Sequence, residues 1–220
     1  MNEQFFVNSN LTKGHYAFKT LKSKKPFENP MSECMKLKLL PDDVVVDIGA
    51  YVGEYSIICH NAGVKRIISY EATPETFELL LKNKKETMEI HNVAIVGGYG
   101  KQIELFISKG IGVTNSIAKR KGKVKSITIP SLKYDDVVKD ATIVKIDVEG
   151  AEYGYRIVEN LNHLRGIIIE FHPMVGFDWE KKANDILDKI EENNFTALHR
   201  ATFKSGWSYI SAYVREINDE

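Results

Sequence analysis

Val44-Val45-Val46-Asp47-Ile48-Gly49-Ala50-Tyr51-Val52-Gly53 passes from a β-branched, apolar run into a turn with glycines at two of its positions. Three consecutive valines favour an extended chain, and a continuous apolar run of this length suits a strand buried on both faces. The stretch that follows, from about Gly53 to Ala62, carries helical spacing, with Gly63 placed to end it. A buried strand, a tight glycine turn and a helix make the opening of a βα unit, and the rest of the chain repeats that alternation.

Outward from this stretch the spacing predicts a second strand over Lys65 to Glu71. A helix follows, with Pro74 in its first turn and Phe77, Leu80 and Leu81 on one face, then a third strand over Glu89 to Val96. Gly97 to Gly100 is a turn. Lys101 to Lys109 and Ile117 to Ile129 read as antiparallel strands with Lys121-Gly122-Lys123 at the bend. The alternation resumes with a strand at Ile143 to Val148, a helix at Glu152 to Leu161, a strand at Gly166 to Phe171 and a helix at Trp179 to Glu192. Two strands, Thr196 to Phe203 and Tyr209 to Glu216, close the series. Periodicity thus gives an open α/β sheet with mixed strands. Residues 1–40 read as an N-terminal arm with a short helix, ahead of one domain over 41–220.

Composition narrows the function classes. Of 220 residues, 43% are apolar and 27% charged, the balance of a chain that buries a core. Thirty basic and thirty acidic residues cancel, which excludes a strongly basic nucleic-acid wrapper. No apolar run approaches the ~20 residues of a membrane helix. The first twenty residues lack a basic start followed by an apolar stretch, so a cytoplasmic location is expected. Cys34 and Cys59 stand apart, without metal-ligand spacing, and are expected to be packing thiols.

In open α/β sheets ligands gather outside the carboxyl ends of strands, so the exit of the first strand is the candidate site. The turn lacks the GxGxxG of a dinucleotide fingerprint and the Gly-Lys-Ser/Thr of a phosphate loop. An acid (Asp47), Gly49, Ala50, Tyr51 and Gly53 ahead of a helix N-terminus suit a nucleoside with a carboxylate tail and no phosphate, which fits S-adenosyl-L-methionine. Glu71 ends the second strand 22 residues after Gly49, where nucleotide-binding sheets put a carboxylate to accept ribose hydroxyls. Ala72 follows it, and Asn92 and Ala94 lie where the third strand would pass the adenine. An ordinary βαβ unit with a glycine-relieved turn is the alternative.

Val144-Lys145-Ile146-Asp147-Val148-Glu149-Gly150-Ala151-Glu152 alternates charge through an apolar strand. This segment resembles the motif of the FkbM family of S-adenosylmethionine-dependent methyltransferases. Further marks follow in order: Asp47-Ile48-Gly49-Ala50 with Gly53, Tyr70-Glu71 with Pro74, Asn92-Val93-Ala94, Ile129-Pro130 with Leu132 and Asp135-Asp136, and Ile169-Glu170-Phe171-His172. The resemblance covers about Asp42 to His172. It implies a class I methyltransferase fold, a Rossmann-like seven-stranded mixed sheet with helices on both faces. It also implies cofactor roles for Asp47, Gly49, Gly53 and Glu71, with Asp147 near the methionine end. Tyr51 departs from the family's usual Asn, Ala72 from a frequent Pro, and Lys133-Tyr134 interrupts its Leu-Asp-Asp run.

Methyl transfer to an oxygen nucleophile needs alignment and a group to take the hydroxyl proton. His172 has a suitable intrinsic pKa and is the expected base, with Asp147 and Glu149 as acceptor or cofactor contacts and Glu170 on the face of His172. No metal is expected; a carboxylate and histidine cluster holding Mg²⁺ or another divalent ion is the alternative. The expected acceptor is a small molecule or glycan. Lys119-Arg120-Lys121 with Lys123 and Lys125 would suit a nucleic acid, the less favoured acceptor, or a solvated hairpin tip. Tyr16, Phe18 and Phe27 are candidates for an acceptor lid or a dimer contact. A protein acceptor, and a non-catalytic cofactor-binding module, complete the alternatives.

Overall fold

A computed structural model describes residues 37–98, 100–107, 125–203 and 209–215. The 1–40 arm with Tyr16, Phe18, Phe27 and Cys34, and the bend at Lys119 to Lys123, lie outside the described residues, save for the last few positions of the arm.

The elements run β1 (Val44–Ile48), α1 (Glu54–Asn61), β2 (Arg66–Tyr70), α2 (Pro74–Asn83), β3 (Met88–His91), β4 (Ala94–Val96), β5 (Gln102–Ile107), β6 (Lys125–Lys133) and α3 (Tyr134–Val138). They continue with β7 (Ile143–Ile146), β8 (Gly166–Phe171), α4 (Trp179–Glu192), β9 (Thr196–His199) and β10 (Tyr209–Val214). The main sheet has seven strands in the order β3-β2-β1-β7-β8-β10-β9. Neighbours from β3 to β8 pair parallel, and β10 runs antiparallel to both β8 and β9. This is the mixed seven-stranded sheet of the class I methyltransferase fold. A smaller sheet, β4-β6-β5, joins it.

Side-chain alternation builds two cores, one on each face of the main sheet. Val45, Ile67, Ile143 and Ile168 join Ile57, Cys59 and Leu80 of α1 and α2 on one face. Val46, Ile48, Val144, Ile146, Ile167 and Ile169 join Tyr134, Val138, Ala183, Leu187 and Ile190 on the other. Period two thus feeds both layers from one set of strands. In α4, Ala183, Leu187 and Ile190 share the buried stripe, and the Asp178 carboxylate accepts from the Lys181 amide at 3.1 Å to start the helix. Cys59 is buried, and burial raises its thiol pKa, as a packing thiol requires.

The amino ends of the strands are closed by a buried ion pair. Arg165 Nε donates to Asp43 Oδ1 at 3.1 Å, its Nη2 bonds Asp43 and donates to the Lys38 carbonyl at 2.9 Å. Thr142 Oγ1 donates to Asp43 Oδ1 at 2.8 Å. Both charges are almost fully covered and paired, the condition under which a buried pair is tolerated.

Four sequence expectations change. The third strand divides: β3 pairs with β2, whereas β4 pairs with β6 in the small sheet. Between them Asn92 Nδ2 donates to the carbonyls of Glu71 and Ala72 at 2.8 and 3.2 Å and turns the chain away. The strand expected to reach Val148 ends at Ile146. The helix expected over 152–161 is two short 3₁₀ turns, Glu152–Gly154 and Val158–Asn160. Glu152 is held by other backbone groups there, and Tyr155 is extended into the core, where it stacks on Tyr134 at 4.8 Å and donates to the Ile95 carbonyl at 3.0 Å. Finally, Leu81 does not share the buried face of Leu80: it is 49% exposed and Leu80 0%. Among the described residues no helix is long and apolar enough to cross a membrane.

The split between these two leucines is testable. Leu80→Ala should cost about 2–5 kcal/mol in urea unfolding, and Leu81→Ala should stay within about 0.5 kcal/mol of the parent chain.

Candidate functional site

The parallel register lines up Ser69, Asp47 and Lys145 across β2, β1 and β7, all directed at α1. Asp47 is wholly buried; its Oδ2 accepts from Ser56 Oγ of α1 at 2.7 Å, and its Oδ1 lies 3.3 Å from Lys145 Nζ. Ser56 also meets Ser69 Oγ at 2.8 Å. Lys145 Nζ donates to the Gly49 carbonyl at 3.2 Å and to Asp147 Oδ2 at 3.5 Å. Burial opposes its charge, but Asp47, Asp147 and Glu170 outweigh burial and hold its pKa above that of an ordinary lysine. Asp47, expected from the sequence among the cofactor contacts, is placed by the structure beneath the turn. With no exposed surface it acts through Lys145 and the turn. Lys145 was the missed member of the pair, and its sequence signal was a lysine inside an apolar strand, which can be buried only with a carboxylate partner.

The turn that follows needs left-handed backbone three times: Gly49 at φ 79°, Tyr51 at 54° and Gly53 at 93°. At Gly49 a Cβ would stand 1.7 Å from the Asp147 carbonyl oxygen, so only glycine lets the exits of β1 and β7 lie this close. Tyr51 occupies a conformation that Asn adopts more readily. Its amide donates to Glu71 Oε2 at 2.9 Å, and the Thr73 amide donates to Glu71 Oε1 at 2.8 Å. Glu71 thereby gathers the loops after β1 and β2. Burial raises its pKa to about 7 against the opposing pull of these two amides. Burial likewise raises Glu54, at the start of α1, to about 7; Lys145 opposes the rise, and Asp147 and Asp47 add to it. Glu54 Oε1 is buried without a hydrogen bond, and sequence reading did not single it out.

Of the other residues expected around this space, Gly49, Tyr51, Ala72 and Asn92 keep partial exposure, whereas Ala50 and Gly53 are buried under the turn. Ala94, also expected beside the adenine, packs with Leu105 and Ile129 in the core of the small sheet. Asn92 spends its amide on the Glu71 and Ala72 carbonyls and so fixes the rim of the site.

The carboxyl ends of β7 and β8 bring together the charged residues read from the sequence. His172 Nε2 lies 3.7 Å from Asp147 Oδ1, 3.7 Å from Glu149 Oε1 and 3.8 Å from Glu170 Oε1. Glu149 and Gly150, both at positive φ (54° and 104°), turn the chain sharply enough to return the Glu149 carboxylate to this cluster. On the other side of the ring, Nδ1 lies 3.4 Å from Glu152 Oε1 without hydrogen-bond alignment. Glu152 is wholly buried; its carboxylate accepts from the His172 and Gly150 amides, each at 2.8 Å. Burial works against an imidazolium, but the carboxylates of Glu152, Asp147 and Glu149 overcome it and push the His172 pKa up to about 10. The sequence reading of His172 as a base near neutral pH is not favoured by this environment, because a protonated ring has no lone pair to offer.

A hollow of about 570 Å³ lies between the 3₁₀ turns and α4 and is lined by residues such as Tyr153, Arg156, Phe177 and Lys181. None of the residues expected from sequence lines it. The Lys119 to Lys123 basic stretch lies outside the described residues, and of that patch only Lys125, in β6, is described.

The sequence profile of the methyltransferase FkbM domain matches residues 47–197. No curated protein sequence matches the chain. Among solved structures, an FkbM methyltransferase from Methylobacillus flagellatus KT is similar at 14% identity and a TM-score of 0.49, over 90% of this chain and 58% of that one. A ribosomal protein L11 methylase from Lactobacillus delbrueckii subsp. bulgaricus is similar at 14% identity and a TM-score of 0.45, over 86% of this chain and 77% of that one.

Lys145→Met should destabilise the protein by about 3–5 kcal/mol in urea unfolding, because Asp47 is left charged and buried alone. Adding Asp47→Asn should return a substantial part of that loss, a coupling that a double-mutant cycle measures directly.

Proposed function

The chain belongs to the FkbM family and is an S-adenosylmethionine-dependent methyltransferase; from that premise we propose that it methylates a hydroxyl oxygen of a small molecule or glycan. The observation that carries this reading is the group of carboxylates, Asp147, Glu149 and Glu170, gathered around His172 where two central strands end. A hydroxyl must shed a proton as it attacks, and a carboxylate beside the reacting oxygen can take it. The acceptor oxygen forms the new bond to the methyl carbon as the sulfur–methyl bond breaks. That bond's electron pair stays on sulfur as a neutral thioether, and the proton passes to Asp147 or Glu149. The same carboxylates raise the His172 pKa, which favours Asp147 or Glu149 over the imidazole as the base. Alignment supplies the larger share of the rate, since the methyl group needs only an in-line approach.

In this reading Glu71 accepts the ribose hydroxyls of the cofactor. The turn over Gly49 to Gly53, ahead of the start of α1, would hold its amino-acid tail, with Asp147 toward the sulfonium. The acidic mouth favours a neutral acceptor over a nucleic acid, because carboxylates in this number repel phosphates.

Calorimetric titration with S-adenosylmethionine and S-adenosylhomocysteine, with ATP and NAD as controls, tests the cofactor pocket. Ligand at a hundred times its Kd should add about 2.7 kcal/mol to stability. A screen of hydroxyl-bearing acceptors, read by release of S-adenosylhomocysteine, tests the chemistry. Methylation confined to nitrogen, or to polynucleotides with a steep salt dependence, would overturn the acceptor assignment, and cofactor binding with no product on any acceptor would favour a non-catalytic module.

The pH dependence follows from Glu71. The ribose hydroxyls need its ionised form, which is populated above about pH 7 and lost below it. Affinity for S-adenosylhomocysteine should therefore weaken about tenfold between pH 8 and pH 6, as the ionised fraction falls. Glu71→Gln should bind weakly at both values, and Glu54→Gln should keep the slope.

A further inference from the structure

The geometry points to a divalent-cation site formed by Asp147, Glu170 and His172 at the carboxyl ends of β7 and β8. One donor atom from each residue lies within 4.8 Å of the others. Cations such as Mg²⁺ and Mn²⁺ take oxygen and nitrogen ligands at about 2.0–2.3 Å, so ligands on opposite sides of one ion stand roughly 4–4.6 Å apart and adjacent ones about 3 Å. The separations from His172 Nε2 to Asp147 Oδ1 and Glu170 Oε1, 3.7 and 3.8 Å, fall between these limits. They are also longer than hydrogen bonds, so these donors converge on a common point without bonding to one another through Nε2.

The far side of the imidazole supplies a second and independent observation. A histidine that binds a metal through one ring nitrogen characteristically directs the other at a carboxylate, which fixes the ring's orientation. Glu152 stands in that relation to His172. Its Oε1 is 3.4 Å from Nδ1, it has no exposed surface, and two backbone amides lock it in place. The His172 side chain is only 10% exposed, and its Nδ1 is buried beside that carboxylate.

The donors are carried on rigid chain. Asp147 follows β7 directly, with its amide bonded to the Ile48 carbonyl at 2.9 Å, and Glu170 lies within β8. The two sit one step beyond the Ile146–Ile169 pair of the parallel register. Two carboxylate oxygens and one imidazole suit Mn²⁺ or Mg²⁺ better than a thiolate-seeking metal, and Glu149 Oε1, 3.7 Å from Nε2, is within reach as a further ligand. The positions left open on the ion would take the acceptor's oxygen and lower its pKa; that role rests on the methyl-transfer reading, whereas the cation site does not.

Mn²⁺ is the probe, since its free-ion electron paramagnetic resonance signal disappears on binding. The full chain should take up one Mn²⁺, and Mg²⁺ should displace it. Glu170→Gln should weaken binding at least about tenfold, and Glu152→Gln by about 10–100-fold through the histidine. Melting curves verify that each variant is folded, and S-adenosylhomocysteine titration is run on the same samples. Loss of Mn²⁺ affinity in a folded Glu170→Gln protein that still binds S-adenosylhomocysteine bears the site out. A folded parent chain that binds S-adenosylhomocysteine but no Mn²⁺, or equal Mn²⁺ affinity in parent and Glu170→Gln, overturns it. Mn²⁺ uptake without any binding of S-adenosylhomocysteine upholds the cation site and sinks the methyl-transfer reading instead.

Discussion

The buried pair of Asp47 and Lys145 is the constraint from which the rest of the molecule follows. Two charges in the middle of a sheet are expensive to desolvate, and only close pairing with further hydrogen bonds makes them tolerable. Here the pairing sets the register of β1 against β7 and draws Ser56 of α1 down onto the sheet. Lys145 has donors to spare, and it uses them on the Gly49 carbonyl and on Asp147, one on each of the two strand exits. The same lysine therefore fastens the core below and the turn above. Glycine at position 49 is the steric complement, because the chain segments that Lys145 draws together leave no room for a side chain.

The two ends of the strands make an instructive contrast. At the amino ends Asp43 and Arg165 neutralise each other, and their remaining groups are taken up by Thr142 and backbone. That end is electrostatically closed. At the carboxyl ends Asp147, Glu149, Glu170 and Glu152 surround a single imidazole, and burial raises the pKa values of Glu71 and Glu54 to about 7. Acidic groups accumulate beyond what the local cations balance, a condition common where a protein is organised to receive a partner of opposite charge. Electrostatics thus separates the structural end of the sheet from the receptive one.

Much of this was legible in the sequence because the strands that carry the site are buried on both faces. β1, β2, β7 and β8 read as apolar runs, and their exits carry the acids that the structure gathers. What escaped the reading depended on contacts between residues distant in the chain. Nothing local distinguishes Asn92 as the residue that breaks a strand by binding the Glu71 and Ala72 carbonyls. Glu152 looks like a helix-opening acid until its carboxylate is found on the His172 amide, twenty residues away. His172 has a neutral-range pKa in isolation, and only its ring of acids changes that. Asp47 reads in the sequence as an acid of the turn, and its inward direction is a consequence of strand pairing that one strand cannot reveal.

The position of β10 bears on how the molecule is made. It lies between β8 and β9, although it follows both in the chain. During synthesis β8 and β9 emerge first and have no partner strand in common until residues 209–214 leave the ribosome. For that interval the edge of β8, a run of three isoleucines, offers unsatisfied backbone groups to any extended segment nearby. The strand that completes the sheet is thus also its protective cover. Chains halted before it are the species most prone to associate with one another, and the edge they leave open belongs to the strand that carries Glu170.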